Sequence, residues 1–268
     1  MRKTYPLNSP IRWAGSKRKL LPELHAHMPT SFSRYIEPFC GSLSLLLSLP
    51  PKPAIVGDIN PELVHFYRMA RWRPRVVARL ADAWGLEDET YYQVRTLDPL
   101  SLSAERRAAR FLYLNRLCFN GVYRTNRQGQ FNVPRGTRVP GMPSEQELAE
   151  LGRRLKAVDI YCSDFEEIVS YAREGDFLYL DPPYAGRGAR DRGEYGKGSF
   201  LEADIQRLAI ALNEASRRGA KVLVSYADTM EIRGALCGWN TFELRVPRNV
   251  SGFMKGRKSA SEILVRNY

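Results

Sequence analysis

Asp181-Pro182-Pro183-Tyr184 follows the apolar run Phe177-Leu178-Tyr179-Leu180. The run has strand character, and the prolines end it because neither can donate to a ladder and each restricts the residue before it. What remains is a carboxylate, two backbone carbonyls and an aromatic ring at the carboxyl end of a strand, the edge where ligands sit in open α/β sheets. Such a group suits an aromatic amine, whose nitrogen lone pair is delocalised into the ring. A carboxylate and a carbonyl that accept its two N–H bonds pull the nitrogen towards tetrahedral geometry and free the pair for attack, while Tyr184 stacks on the ring. The bland alternative is a buried strand ending in a proline turn, with Asp181 capping a loop. The complete Asp-Pro-Pro-Tyr after an apolar strand favours amino-group chemistry.

Three other stretches repeat the pattern of a strand ending in polar groups. Tyr35-Ile36-Glu37-Pro38-Phe39-Cys40-Gly41-Ser42, followed by apolar Leu43 to Leu49, reads as strand, tight turn and helix. Gly41 suits the turn, and the amides opening the helix can face a polar ligand. The stretch is not a GxGxxG fingerprint, which disfavours a dinucleotide enzyme. Ala54 to Asp58 is a second short strand; its final acid either takes a ribose hydroxyl pair or caps the helix starting near Pro61. Val158 to Cys162 is a third, and Asp164 beside Phe165 either accepts an adenine amino group or caps a short helix. Before all of these, Arg12-Trp13-Ala14-Gly15-Ser16-Lys17 offers small residues beside an indole, and a cation, ahead of an amphipathic segment from Leu20 to Met28. It is either a ligand-contacting turn or a surface helix start with a basic cap.

The composition narrows the partner. Forty-one Lys and Arg against 29 Asp and Glu leave +12, and without a long apolar segment this excess points to nucleic acid rather than membrane. The 268 residues, 44% of them hydrophobic, can hold one large α/β domain and a modest insertion. Cys40, Cys118, Cys162 and Cys237 form no Cys-x-x-Cys pair and make no ligand cluster with His25, His27 and His65, so no metal is expected. Met1 to Leu7 is too short and too proline-interrupted for a signal peptide, and a cytoplasmic setting is expected.

From Glu62 to about Leu155 no strand-helix-strand unit fits. Val64 to Trp84 and Ala104 to Leu117 read as helices, and Ser144 with Glu147 has capping-box spacing. Between them, residues 118–136 carry amides, aromatics and arginines, with Gln128-Gly129 as a hairpin tip. Arginine can grip guanine bidentately, asparagine can pair with a base edge, and an aromatic can wedge into a base step. Downstream, residues 185–200 are glycine-rich and form either a lid over a base or an idle loop. Leu201 to Arg218 reads as a helix, Lys221 to Ser225 as a strand, Asp228 to Leu236 as a helix, and Thr241 to Val246 with Glu262 to Asn267 as a terminal pair. Arg248, Lys255, Arg257 and Lys258 lie between the last two, apt for phosphate contacts.

From Arg12 to about Asn267 these motifs resemble the Dam-type (class alpha, D12) adenine-specific DNA methyltransferases. The resemblance implies a Rossmann-like α/β methyltransferase domain (residues 1–62 and 156–268) with an inserted, mostly helical target-recognition domain (63–155) carrying a β-hairpin. It implies S-adenosylmethionine as cofactor, with Trp13, Ala14, Gly15, Lys17, Glu37, Pro38, Phe39, Gly41, Asp58, Asp164, Phe165 and Asp181 as candidate contacts, and Asp181 to Tyr184 as the catalytic set. The expected reaction is methylation of the N6 amine of an adenine flipped out of duplex DNA, within GATC. Arg124 would read a guanine, Phe119 and Asn120 would fill or brace the vacated space, Val122 would touch a thymine methyl, and Arg12 would meet the outer base pair. Arg116, Asn126, Asn132, Pro134, Arg135, Lys255 and Arg257 complete the expected DNA contacts. The chain departs from the family pattern at Leu43 or Ser44, where a second glycine is usual, and at Phe119, where tyrosine is common. Rival readings are a DNA-binding protein without catalysis, and methylation of cytosine N4 or of RNA adenine. The expected protein is a monomer, associated with the nucleoid through DNA; the residues do not say whether a cognate restriction endonuclease accompanies it.

Overall fold

Short apolar runs that end at an acid, a proline or a glycine become the strands. The computed structural model describes residues 6–137, 139–185, 200–244 and 262–268. The strands are β1 (Tyr35–Glu37), β2 (Ala54–Asp58), β3 (Val158–Cys162), β4 (Phe177–Leu180), β5 (Lys221–Ala227), β6 (Asn240–Leu244) and β7 (Glu262–Arg266). They form one sheet in the order β3-β2-β1-β4-β5-β7-β6. β1 to β5 run parallel, and β7 is antiparallel to both β5 and β6. The chain steps outward from β1 to β3 and returns to β4, so its direction of progress reverses between β1 and β4, where open α/β sheets have their ligand crevice. Antiparallel β7 begins at the edge where the parallel strands end: Glu262 lies opposite Ala227, the last residue of β5.

Alternation along the strands feeds two cores. On one face Tyr35, Val56, Tyr179, Leu223 and Leu264 share a core with Phe66, Tyr67, Val77, Phe111 and Leu148. On the other, Ile36, Ile55, Leu178, Leu180, Val222 and Val224 pack with Ile168, Leu208, Leu212 and Ile232. β1 and β4 are buried at every position, as strands covered on both faces must be.

The helices follow their caps. After α1 (Leu21–His27) and α2 (Ser44–Ser48), the predicted basic helix over 64–84 is two: α3 (Pro61–Trp72) and α4 (Pro74–Asp82). Pro74 cannot continue α3 but suits the first turn of α4. Asn60 caps α3, accepting from the amides of Glu62 and Leu63 at 3.0 and 3.2 Å. The cap is therefore not Asp58. α5 (Asp88–Thr96) was not anticipated; it is polar and buries only Tyr91 and Val94. α6 (Ala104–Leu117) and α7 (Glu145–Arg154) match expectation, the latter with the Ser144–Glu147 capping box formed. α8 (Phe165–Ser170), α9 (Glu202–Arg217) and α10 (Met230–Ala235) cover the second face. The expected hairpin is present as a single bridge between Thr125 and Phe131. Its tip is held by the Asn126 side chain, which accepts from the amides of Gln128 and Gln130, with Gly129 at φ +81°. No helix among the described residues is long and apolar enough to cross a membrane.

Candidate active site and recognition surface

Three neighbouring parallel strands deliver carboxylates to one edge: Glu37 ends β1, Asp58 ends β2 and Asp181 follows β4. The Asp181 Oδ1 lies 3.2 Å from the Lys17 ammonium and accepts from the Ser225 hydroxyl at 3.0 Å. Among the described residues nothing donates to Oδ2 or to the Pro182 carbonyl. The Asp181 side chain keeps 20% of its exposure, against 8% for Lys17 and 9% for Glu262, so the cation and second acid are the more deeply buried. Lys17 Nζ also donates to Tyr184 Oη at 3.1 Å and to Glu262 Oε2 at 3.3 Å, and the Tyr184 hydroxyl donates to Glu262 Oε1 at 2.8 Å. Burial opposes charge on Lys17, but Asp181, Tyr184 and Glu262 outweigh it and hold the ammonium well above the ordinary lysine range. Burial pushes the Asp181 carboxyl upward against the pull of Lys17 and Ser225. Tyr179 Oη, 2.9 Å from Ser225 Oγ, backs the hydroxyl that holds Asp181.

From the sequence, Asp181 and Tyr184 were expected in the acceptor set and Lys17 as a cofactor contact; the structure brings the three together, with Lys17 paired to Asp181, and joins to them Ser225 and Glu262, which were not singled out. The available signals were a serine inside the apolar run Val222 to Tyr226 and an acid opening the apolar run Ile263 to Val265.

Next to this cluster the β1–α2 turn is stitched to β2. Cys40 N donates to Gly57 O at 2.8 Å and Gly41 N to Asp58 Oδ2 at 3.1 Å, and the Tyr67 hydroxyl donates to Gly41 O at 2.7 Å. Gly41 has φ +40°, and a Cβ there would come within 2.8 Å of the Trp13 ring. Two positions on, Leu43 is fully buried with φ +54°, a region that costs a residue with a Cβ about 1 kcal/mol or more. This is one of the positions where the resembled family favours glycine. Burial pushes the Asp58 carboxyl up to about 6. Burial also drives Glu37 well above the usual carboxylate range, and its buried Oε2 has no hydrogen-bond partner among the described residues. Phe39 stacks on Phe165 at 5.5 Å and meets Phe200 edge-on at 5.9 Å. Asp164 caps α8 through the Glu166 amide and pairs with Arg207, whose guanidinium sits 4.9 Å from the Phe165 ring centre. Ala14 and Gly15 form the turn beneath Trp13, closed by Ser16 N donating to Trp13 O at 3.1 Å. No His, Cys, Asp or Glu cluster among the described residues could hold a metal ion.

The recognition candidates fall into two groups. Phe119 is 52% exposed, and Asn120 beside it has φ +55°. Asn120, Arg12 and Trp13 help line a groove of about 320 Å³ along the N-terminal segment. By contrast, most of the guanidinium groups are committed within the protein. Arg12 donates to the carbonyls of Arg116 and Cys118, Arg116 to those of Pro10 and Gly141, and Arg135 to Leu86 O while pairing with Asp88 at 2.8 Å. Arg124 donates to the Asn132 side chain at 2.8 Å, and Asn126 serves the hairpin tip. Val122 is half-buried against the core, and Pro134 O accepts the Phe119 amide at 2.9 Å. Lys255 and Arg257, with the rest of the expected phosphate loop and most of the glycine-rich loop, lie outside the described residues.

Comparison with known proteins gives the family. Residues 13–247 match the family model described as D12 class N6 adenine-specific DNA methyltransferase. The chain is 30% identical to the Type II methyltransferase M1.LlaDCHI of Lactococcus lactis over 96% of its length and 94% of the relative's. It is 31% identical to a DNA adenine methylase of Vibrio cholerae, covering 95% and 94% of the two chains. It is 32% identical to the DNA adenine methylase of Escherichia coli K12, covering 95% and 93%.

Proposed function

The chain belongs to the D12 class of N6 adenine-specific DNA methyltransferases, and from that premise we propose that it transfers a methyl group from S-adenosylmethionine to an adenine flipped out of duplex DNA, within GATC. The observation that carries the reading is Asp181, with Oδ1 anchored by Lys17 and Ser225 and no donor to Oδ2 among the described residues.

The residues fit the cofactor. Glu37 offers a buried oxygen without a partner, Gly41 leaves the space a Cβ would fill under Trp13, and Asp58 ends β2 where a ribose can be met. Phe39 and Phe165 supply an apolar wall, with Asp164 beside it for an amino group. These residues, with Pro38, would hold S-adenosylmethionine, which supplies an electrophilic methyl on sulfur.

The protein's own work is to position and to take a proton. Asp181 Oδ2 and the Pro182 carbonyl accept the two amine N–H bonds and localise the nitrogen lone pair, while Pro183 fixes the turn and Tyr184 stacks on the base. As the nitrogen gains a carbon it must shed a proton, and the raised carboxyl of Asp181 is the acceptor in reach. Extruding the base costs a few kcal/mol, which contacts from Phe119, Asn120 and Arg124 offset. Most of the rate then comes from orientation.

Incubation with duplex DNA and labelled S-adenosylmethionine, followed by nucleoside mass analysis, tests the product. N6-methyladenine is expected; N4-methylcytosine, or label only in RNA, contradicts it. Digestion with endonucleases that differ in tolerance of methylated GATC tests the site.

A further inference from the structure

We propose that Glu262 is a positioning residue of the acceptor site, fixing Tyr184 and sharing Lys17 with Asp181 so that ring and acid meet the base in one relation. The inference rests on the reading of Asp181 and Tyr184 given above, but its geometry is separate. Glu262 gives each carboxylate oxygen a different partner, Oε1 to the Tyr184 hydroxyl and Oε2 to Lys17 Nζ, and Lys17 in turn donates to Tyr184. The three groups close a triangle, whereas an acid that only neutralised Lys17 would need one contact. The triangle holds the far end of the Tyr184 ring. Tyr226 packs against that ring at 5.2 Å and 83°, and its hydroxyl accepts the Ala185 amide at 2.8 Å, which fixes the adjoining backbone. Glu262 also divides the ammonium's charge. Without it Asp181 would be the one carboxylate left on Lys17 among the described residues, and the ammonium would draw it away from the amine.

The test uses single-turnover methyl transfer by the full chain to a GATC-containing duplex, with cofactor and duplex dissociation constants and melting midpoints measured in parallel. Glu262→Ala should slow transfer by at least about tenfold while both dissociation constants stay within about threefold and the fold is retained. Glu262→Gln, which keeps an acceptor for the Tyr184 hydroxyl, should recover part of the rate. A rate equal to that of the unaltered protein, or a loss that only tracks cofactor affinity or folded fraction, overturns the proposal. Should Glu262→Ala fail to fold, Tyr184→Phe removes the hydroxyl and keeps the ring. A loss of about three- to tenfold with unchanged binding supports the proposal, and full activity overturns it. If the unaltered protein transfers no methyl to adenine, the functional reading fails and takes this inference with it. If it does transfer and both variants are unimpaired, this inference alone fails.

Discussion

The proposed acceptor site and the hairpin proposed for recognition differ in the partners their charged groups hold. Behind the Asp-Pro-Pro-Tyr turn, charges meet charges: Lys17 touches Asp181, Glu262 and Tyr184, and among the described residues Asp181 Oδ2 has no donor. Around the hairpin, Arg12 and Arg116 meet backbone carbonyls, Arg135 meets a carbonyl and the exposed Asp88, and Arg124 meets an asparagine. The first arrangement is built before substrate arrives, as catalysis by positioning requires. In the second, three arginines hold segments together, and only Arg124 holds a partner that a guanine could replace at small cost.

The contrast can be broken from either side. After the loss of Asp181 itself, the largest effect is expected at Lys17: Lys17→Met should reduce methyl transfer by about 10²–10³-fold by releasing Asp181 and Tyr184 together, read by single-turnover kinetics. Next comes a paired comparison. Arg124→Ala should cost about 1–3 kcal/mol of discrimination between GATC and sites altered at the guanine, while Arg116→Ala should leave discrimination intact. Arg116→Ala should instead lower stability by about 1–3 kcal/mol, because the Pro10 and Gly141 carbonyls lose their donor. Loss of discrimination in Arg116→Ala would blur the division drawn here. Ser225→Ala should slow transfer by about tenfold with little change in DNA affinity, since Asp181 keeps Lys17 but loses its second anchor.

A further expectation concerns pH and acts on stability rather than on transfer. Asp58 ionises near 6 when folded, above its unfolded value of 3.8, so the folded state retains a proton the unfolded chain has lost. Stability should therefore fall as pH rises from about 4 to about 6, by up to about 3 kcal/mol. Thermal melts of Asp58→Asn should lack that component; an unchanged pH profile would argue that the Gly41 and Asn60 amides already compensate the charge.

What could be read in the sequence follows the same division. β1, β2, β3 and β4 each carry an apolar run with a polar terminator, so their ends and the acids there were legible. The helix at 104–117 and the Ser144 capping box are equally local signals. α5 was not legible because it buries only two side chains. The break at Pro74 and the Asn60 cap are local too, but apolar periodicity across 64–84 and the acid at Asp58 masked them. Glu262 and Ser225 were invisible for another reason: Glu262 meets a lysine 245 positions away, and its burial depends on an antiparallel strand starting at the catalytic edge. The arginines of the hairpin looked alike in sequence because nothing local says which carbonyl each will find.

Whether Asp181 receives the amine is decided by measuring single-turnover methyl transfer and duplex affinity together in Asp181→Ala. Transfer should fall by more than about 10³-fold while affinity for duplex DNA stays within about tenfold. Substantial methyl transfer by that variant would contradict the role given to Asp181.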